Sequence, residues 1–193
     1  MATPRLLHLA AAIAAVWRGD WSAFAAAATA LRADDTPRAD LEETLLQAVL
    51  FAGFPRVVTA FEHLNRTWPS AAAPAGGGLP PAEQAAAGRA LFAAIYGKND
   101  LAVRNLLRDC HQEFHDFVLE AAYGRILTRP GLPPRERELL ACAALAAQQQ
   151  DRQFVAHARG ALQFGASREE LAAVTQLAQP DADAAAALLR RVR

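Results

Sequence analysis

Residues 131–171 carry an apolar pattern with helical period, and this pattern restricts what the stretch can fold into. Residues 135–147 are strong helix formers apart from one cysteine. Within them Glu138 and Cys142 share one face, because residues four apart meet on a helix. The next run has an apolar stripe that contains His157. The sequence therefore predicts two consecutive helices, each with one polar side chain set into an apolar face.

Polar residues around these runs match the signals found at helix ends. Asp151 is predicted to cap the N-terminus of the second helix. Gly165 suits the left-handed position just past the end of that helix. Ser167 and Glu170 have the spacing of a capping box, which predicts a third helix. Together the signals favour three successive helices joined by short turns.

The rest of the chain continues the helical pattern, which predicts an all-α fold of about nine or ten helices. Hydrophobic residues make up 53% of the sequence, and many are alanine, the strongest helix former. No stretch of useful length alternates with period two, so no sheet is expected. The helical period is present in eleven segments, some of them separated by only two or three residues: 4–17, 20–32, 40–52, 55–68, 81–96, 99–110, a run ending at 127, 135–147, 151–162, 168–178 and 181–192.

Residues 69–81, PSAAAPAGGGLPP, form the clearest predicted linker of the chain. Small residues, glycine and proline dominate it, and no apolar period survives. The linker divides the chain into a first part, residues 1–68, and a second part, residues 82–193.

The two parts have related sequences, which indicates two quasi-repeated helical bundles. Residues 5–15 parallel residues 137–147, and the similarity continues into the following helix. In this alignment Leu6 and Ala26 stand where the second part has its glutamate and its histidine. The first part is therefore interpreted as a degenerate repeat without the polar pair.

The charge balance excludes several classes of partner. Twenty basic residues balance twenty acidic ones, so no large net field favours nucleic acid or an anionic membrane. No apolar run reaches the roughly 18–20 residues of a membrane-spanning helix. Residues 1–17 have one arginine and no clear cleavage site, so we interpret them as a core helix rather than a signal peptide. These features predict a cytoplasmic protein.

The two cysteines, Cys110 and Cys142, have neither a C-x-x-C nor a metal-ligand spacing. Free thiols in a reducing compartment are therefore expected. His111 and His115 lie next to Cys110 in the order H-x-E-x-H, not the H-E-x-x-H of metalloproteases. A solvated helix face explains these histidines more simply than zinc does, and no metal is predicted.

Several segments resemble the carboxymuconolactone decarboxylase and alkylhydroperoxidase-like superfamily. They are R-E-L-L-x-x-A-A-L-A-A from residue 137, H-A-R-G-A-L-x-x-G-A-S-R-E-E-L from residue 157, AAYGRILTRPGL at 121–132 and LLQAVLFAGFPRVVTAF at 45–61. The resemblance implies an all-α fold of the alkylhydroperoxidase-like type. It also implies a homo-oligomer, because family members form rings or stacked trimers, and a small-molecule substrate.

The family's decarboxylases are similar to this chain in having the helix histidine without a cysteine pair, and they remove carbon dioxide from a lactone acid. A Glu–His pair in a partly dry cleft can move protons. The resemblance thus implies a cofactor-free lyase that acts on a small lactone or carboxylic acid through Glu138 and His157. The alternative is structural: Glu138 pairs with Arg135, Arg137 or Arg159, and His157 is a satisfied core histidine.

Two other functions remain open. The family's peroxidases resemble C-x-x-C-x-x-x-H, but Gln150 and Gln153 occupy the thiol positions here and cannot form a thiolate. A thiol-dependent antioxidant protein would have to use Cys142 or Cys110. The other alternative is a non-catalytic oligomeric binding module descended from the family.

Two residues are candidates for substrate binding. Arg56, in the GFPR segment, is similar to a position near the family's pocket, and its guanidinium fork suits a carboxylate. An ion pair of Arg56 with Glu42 or Glu43 is the alternative. Cys142 lies one turn from Glu138 and either lines the same pocket or fills the core as a small apolar side chain.

Overall fold

The computed structural model describes residues 1–70 and 76–192, and every regular element in these ranges is a helix. The predicted all-α class is confirmed. In chain order the helices are α1 (Pro4–Arg18), α2 (Trp21–Ala33), α3 (Arg38–Thr67), α4 (Pro81–Tyr96), α5 (Asp100–Cys110), α6 (Gln112–Phe117), α7 (Pro134–Ala147), α8 (Asp151–Gln163), α9 (Arg168–Ala178) and α10 (Ala182–Arg190). A 3₁₀ turn, Gly97–Asn99, precedes α5, and a π-helical segment, Val118–Leu127, continues α6.

Most of the predicted helix-end signals around α8 and α9 are present. Gly165 has a φ of 88° just past α8, and Ser167 and Glu170 form the capping box of α9. The predicted cap of α8 is wrong, because Asp151 is already the first helical residue. Its carboxylate pairs with Arg191 instead.

Helix α3 contains a kink where the sequence predicts a boundary between two helices. Gly53 has a φ of 74°, a left-handed value that glycine adopts without the steric cost of a Cβ. Pro55 follows, and it lacks the N–H that an uninterrupted helix would use. Residues 38–52 form the first arm of α3, and residues 54–67 form the second.

Of the described helices, α3 is the one with the length and apolar character of a membrane span, with a mean hydropathy of 1.5. The kink divides it into arms shorter than the roughly 20 residues that cross a bilayer core. Leu41 and Leu45 of the first arm and Leu64 of the second are fully buried within the protein. This packing accounts for part of the apolar character of α3, since a third of its most apolar window is buried.

The helices form two compact units, and the larger comprises Met1–Ala75 and Gly131–Arg193. Helices α1 and α7 pack against each other at its centre, with most of their residues buried. Around them, α2, α3 and α9 pack on α1, while α8 and α9 pack on α7. Alanine at many of the buried positions lets these helices approach closely.

Two sets of three helices in this unit have the same spacing along the chain. We define the first set as α1, α2 and the first arm of α3, and the second set as α7, α8 and α9. Corresponding helices begin 130 residues apart, at Pro4 and Pro134, at Trp21 and Asp151, and at Arg38 and Arg168. An ion pair recurs at this spacing, since Arg5 lies 2.6 Å from Asp40 and Arg135 lies 2.6 Å from Glu170.

The spacing of 130 differs from the register predicted from the sequence. Glu138 corresponds to His8 rather than to Leu6, and His157 corresponds to Ala27 rather than to Ala26. Alanine-rich helices can be aligned in several registers by sequence, whereas the helix starts and the recurring ion pair agree on one. In either register the first set lacks the Glu–His pair.

The second compact unit is Gly76–Pro130, which contains α4, α5, α6 and the π-helical segment. Helix α4 packs against the π-helical segment at two glycines. A Cβ on Gly88 would overlap the carbonyl oxygen of Leu119, and a Cβ on Gly124 would overlap that of Gln84. The two backbones therefore touch at positions where no side chain fits.

Aromatic rings fill the rest of this contact, while α5 leaves its apolar residues outside. Phe92 packs on Tyr96 and Tyr123, and the two tyrosine hydroxyls are 3.2 Å apart. No residue of α5 is buried, and Leu101 is 61% exposed. The apolar residues of α5 repeat with helical period, but among the described residues they pack into no core.

The compact units are separated at residues 75–76 and 130–131, whereas the predicted linker separates the chain once, at residues 69–81. Residues 131–193 join the N-terminal part because α7 packs on α1. Of the predicted linker, 69–81, residues 71–75 lie outside the described residues.

Candidate functional site

Glu138 on α7 and His157 on α8 meet inside the larger unit. The Nδ1 atom of His157 lies 2.9 Å from Oε2 of Glu138. Glu138 is 2% exposed and His157 is 9% exposed. An ionised carboxylate accepts a hydrogen bond from Nδ1–H, which leaves Nε2 as the nitrogen available to a reactant. The structure thus brings together the two residues that the sequence singled out.

Helix α3 forms an apolar wall beside the imidazole. The ring of Phe51 is edge-on to His157, with centroids 6.4 Å apart and an interplanar angle of 77°. The carbonyl oxygen of Phe51 accepts a hydrogen bond of 3.2 Å from Nε2 of Gln148, just past α7. The wall is therefore tied to the same helix that carries Glu138.

The arginines near Glu138 have other partners. Arg135 and Arg137 bind carboxylates on α9 and α3, at 2.6 Å and 2.8 Å respectively. Arg159 lies on the exposed face of α8. The pairing of Glu138 with Arg135 or Arg137 is therefore wrong, and its hydrogen-bond partner is the imidazole.

Cys142 is fully buried one turn beyond Glu138. Burial, and to a smaller degree the Glu138 carboxylate, raise the pKa of the Cys142 thiol well above its usual value. The thiol therefore stays protonated at neutral pH, whereas the thiolate is the nucleophilic form. Cys110 is exposed at the end of α5, in the other unit.

Arg56 begins the second arm of α3 beside the end of α1. A Cβ on Gly19 would overlap Nη1 of Arg56, so the guanidinium lies directly over that glycine. The predicted ion pair with Glu42 or Glu43 is wrong, because both carboxylates have other arginine partners. Among the described residues no carboxylate holds the Arg56 guanidinium, which leaves it a candidate for binding one.

Sequence reasoning missed a buried polar cluster between α3 and α7, formed by Glu43, Gln47 and Arg137. Arg137 is 1% exposed, and its Nη2 lies 2.8 Å from Oε2 of Glu43. Its Nη1 lies 3.4 Å from Oε1 of Gln47, and Nε2 of Gln47 donates to the Arg137 carbonyl at 2.7 Å. Two polar residues four apart on an otherwise apolar face of α3 are the signal that could have revealed the cluster.

Two cavities lie elsewhere in the larger unit. The first, of about 210 Å³, is lined by Arg38, Ala39, Glu42, Glu43, Leu46, Phe61 and Asn65. The second, of about 230 Å³, is lined by Gln149, Asp151, Gln179, Ala184, Ala187 and Leu188. Neither lining includes Glu138 or His157, although the first includes Glu43 of the α3–α7 cluster.

The histidines of α6 behave differently from each other. His111 caps the helix, with its Nδ1 accepting a 3.1 Å hydrogen bond from the Glu113 amide. The solvated-face interpretation is wrong for His115, which is 6% exposed and whose Nδ1 lies 2.8 Å from Oδ1 of Asp116. In residues 1–70 and 76–192, no group of three or more His, Cys, Asp or Glu side chains is arranged to hold a metal ion.

Residues 112–192 match the sequence profile of the carboxymuconolactone decarboxylase family. The matched range includes Glu138, Cys142 and His157 but not Arg56. This match, together with the all-helical fold, supports the predicted resemblance to the carboxymuconolactone decarboxylase and alkylhydroperoxidase-like superfamily over residues 112–192.

Two known proteins are similar to the chain. "Peroxisomal protein 2" of Schizosaccharomyces pombe is 26% identical over 144 residues, which are 72% of this chain and 66% of that protein. "4-carboxymuconolactone decarboxylase" of Acinetobacter baylyi is 34% identical over 65 residues, which are 34% of this chain and 48% of that protein. The chain therefore spans just under two thirds of the first relative and about half of the second.

Proposed function

We propose that the chain is a carboxymuconolactone decarboxylase-like enzyme, a cofactor-free lyase that acts on a small lactone or carboxylic acid. The observation that carries the proposal is the 2.9 Å contact between Nδ1 of His157 and Oε2 of Glu138, in a site almost closed to water. A relative named as a decarboxylase of such a lactone acid supports the substrate class.

The proposed step is proton transfer to carbon. Decarboxylation breaks the bond between the substrate carbon and the departing carbon dioxide, and the electron pair stays on that carbon as an enolate. His157, protonated on both nitrogens, transfers its Nε2 proton to this carbon. Glu138 stabilises the imidazolium through Nδ1–H and fixes the orientation of the ring. Solvent then returns a proton to Nε2, so that each turnover consumes one proton, releases one carbon dioxide and needs no oxidant, reductant or cofactor.

Arg56 and Cys142 are the proposed substrate-binding residues. Arg56 has a guanidinium that no carboxylate of the described residues neutralises, and a planar guanidinium binds carboxylates through two parallel hydrogen bonds. Cys142 supplies a small, uncharged surface next to Glu138. Phe51 supplies an apolar surface beside His157.

A thiol-dependent antioxidant activity is the second candidate, and the structure argues against it at Cys142. A peroxidatic thiol needs a lowered pKa, whereas that of Cys142 is raised by burial. Gln150 and Gln153 occupy the family's thiol positions and are exposed. We expect hydrogen peroxide to oxidise Cys110 slowly and Cys142 only on unfolding, as measured by sulfenic-acid trapping and mass spectrometry. Rapid trapping at Cys142 in the folded protein would favour the antioxidant function instead.

We also propose that the protein is a cytoplasmic homo-oligomer without nucleic-acid or membrane partners. Phe54 is 72% exposed and Val58 is 58% exposed on neighbouring turns of the second arm of α3. Adjacent exposed apolar side chains of this kind mark protein contacts. Light scattering of the protein and of the Phe54→Asp variant tests the assembly, and the variant should have the smaller mass.

The enzymatic proposal is tested with the His157→Gln and Glu138→Gln variants. Turnover of 4-carboxymuconolactone, followed by carbon dioxide release, should fall about 10²–10⁴-fold in each variant. Thr175→Val is the matched control, because Thr175 is fully buried in the same unit and its hydroxyl binds only the Leu171 carbonyl among the described residues. Unchanged turnover in His157→Gln would remove the proton-transfer role. A wild-type protein that binds lactone acids without turning them over would favour the non-catalytic module.

A further inference from the structure

We propose that Glu43 and Gln47 are positioning residues for the Glu138–His157 site and act on it through Arg137. This inference rests on the function proposed above for the Glu138–His157 site, but the contacts among Glu43, Gln47 and Arg137 are observed independently of that function. Both residues lie on the first arm of α3, 90 or more positions before Arg137 in the sequence. They are buried together with the arginine that they hold.

The contacts of Gln47 fix the rotation of α7 about its own axis. Its amide binds Arg137 twice, by accepting from the guanidinium and by donating to the main-chain carbonyl. A bond to the main chain of residue 137 restrains the backbone from which the Glu138 side chain projects. Successive residues of a helix point about 100° apart, so holding Arg137 toward α3 sets the direction of Glu138 toward α8.

The next turn of α3 restrains the other member of the pair. Phe51 lies four residues after Gln47, so both side chains share one face of α3. One turn of this helix therefore contacts Arg137, and the next contacts His157. A shift of α3 relative to α7 would move the carboxylate and the imidazole relative to each other.

The first set of helices shows that the fold does not require the polar cluster. At the spacing of 130 residues, Arg137 corresponds to Leu7, Glu43 to Ala173 and Gln47 to Leu177. Helix α1 packs on α9 as α7 packs on α3, but Leu7 and Ala173 are only partly buried and Leu177 is 38% exposed. The polar cluster and the Glu–His pair thus occur together in one half of the unit and are both absent from the other.

Stability alone does not explain why such a cluster is kept. Replacing a buried ion pair by well-packed apolar residues is often neutral or stabilising, and the corresponding positions of α1 and α9 carry no charge. A role in holding the site explains why the costlier arrangement accompanies the Glu–His pair.

The test converts the cluster into the residues that the chain uses between α1 and α9. The triple variant Glu43→Ala, Gln47→Leu, Arg137→Leu removes both members of the buried Glu43–Arg137 ion pair together with Gln47, so neither of these two charges is left without the other. Imidazole ¹⁵N spectra of His157 report which nitrogen carries the proton. In the wild type, the Nδ1–H tautomer should account for nearly the whole neutral population. In the folded triple variant, we expect a mixture of the two tautomers because the carboxylate no longer faces Nδ1.

Thr44→Val is the control, because Thr44 is equally buried on the same arm of α3 but its hydroxyl binds the Asp40 carbonyl instead of α7. Its His157 spectrum should match the wild type. A folded triple variant that keeps the single Nδ1–H tautomer would overturn the proposal. If the triple variant does not fold, the Gln47→Met variant replaces it in the test, because methionine keeps the side-chain volume but removes both hydrogen bonds to Arg137. A His157 tautomer in Gln47→Met that is the same as in the wild type would also overturn the proposal. Because tautomer and turnover are measured separately, failure of this proposal is distinguishable from failure of the enzymatic one.

Discussion

Helices α1 and α7 occupy equivalent places at the centre of the larger unit, yet their buried faces differ in kind. Every buried residue of α1 is apolar, whereas α7 buries Glu136, Arg137 and Glu138 together. Buried charges are costly to desolvate unless each one is paired. Glu136 pairs with Arg5 of α1 and so belongs to the packing of the two helices, whereas Arg137 and Glu138 bind residues of α3 and α8 and have no buried charged counterpart in α1.

The largest expected effect is on turnover, when the residues at positions 138 and 157 are replaced by those found 130 positions earlier in the first set. Glu138→His combined with His157→Ala reproduces the pair His8 and Ala27, and should lower lactone-acid turnover about 10²–10⁴-fold. Thermal unfolding measures the cost in stability separately, because His8 pairs with Asp34 whereas Phe164 stands 130 positions after Asp34. A double variant that keeps wild-type turnover would contradict the distinction between the two sets.

The next effect concerns stability and depends on how the α3–α7 cluster is broken. Arg137→Ala leaves the buried Glu43 carboxylate without its arginine and should cost about 3–5 kcal/mol in the free energy of unfolding. Leu7→Ala, the matched change in the first set, should cost about 1–2 kcal/mol because Leu7 is only partly buried. Urea denaturation measures both. Equal losses would mean that the two interfaces are energetically alike.

A smaller difference is expected at the turns that follow α1 and α7. Gly19 and Gln149 correspond, with φ values of 69° and 58°. Side chains are disfavoured in this region by about 1–2 kcal/mol, so Gly19→Ala should destabilise the protein by about that amount. Gln149→Gly should stabilise it by less than about 1 kcal/mol, because glycine also gains freedom in the unfolded chain. Thermal unfolding checks the opposite signs.

The smallest effect concerns the recurring ion pair. Burial alone would raise the pKa of Glu170, but the Arg135 guanidinium and the Ser167 amide outweigh it and lower the pKa. A carboxyl with a lowered folded pKa adds stability above its unfolded pKa of about 4.3, and that stability is lost as the pH falls through the folded pKa. Glu170→Gln should therefore reduce stability by less than about 1 kcal/mol at pH 7.

Below the folded pKa the Glu170→Gln variant and the wild type should converge. Chemical denaturation between pH 7 and pH 3 measures this difference. The Asp40→Asn variant, at the equivalent position of the first set, provides the comparison. A difference between Glu170→Gln and the wild type that grew toward low pH would contradict the assignment.

The helices and the Glu–His contact could be predicted because they depend on local information. Helical period predicts where the helices run, and glycine and proline predict where they end. At Gly53 the sequence predicts a boundary between two helices, and the structure has a kink within α3. Glu138 and His157 lie 19 residues apart on adjacent helices, so a short turn almost suffices to bring them together. Both stand out in the sequence as single polar side chains set into apolar helix faces, and the family resemblance adds a chemical role for them.

The partners of Arg137 could not be predicted from the same information. Glu43 and Gln47 are 94 and 90 residues away, and the sequence offers several acidic side chains to every arginine. Which one pairs depends on how α3 lies on α7. The register of the two sets was missed for a related reason, since repeated alanines distinguish poorly between alignments. Helix α5 is a different case. Its apolar residues repeat with helical period, yet none of them is buried, because the period alone does not reveal whether another surface packs against them.

The larger unit is built from two separate stretches of chain, Met1–Ala75 and Gly131–Arg193. On the ribosome, α1 is therefore made long before α7, the helix that covers much of its inner face. At about 5–20 residues per second, the delay is on the order of ten seconds. During that time Leu9, Ile13 and Val16 have no α7 to pack against. Chaperones that hold nascent chains should therefore bind this N-terminal region, and slowing translation across residues 76–130 should increase its aggregation.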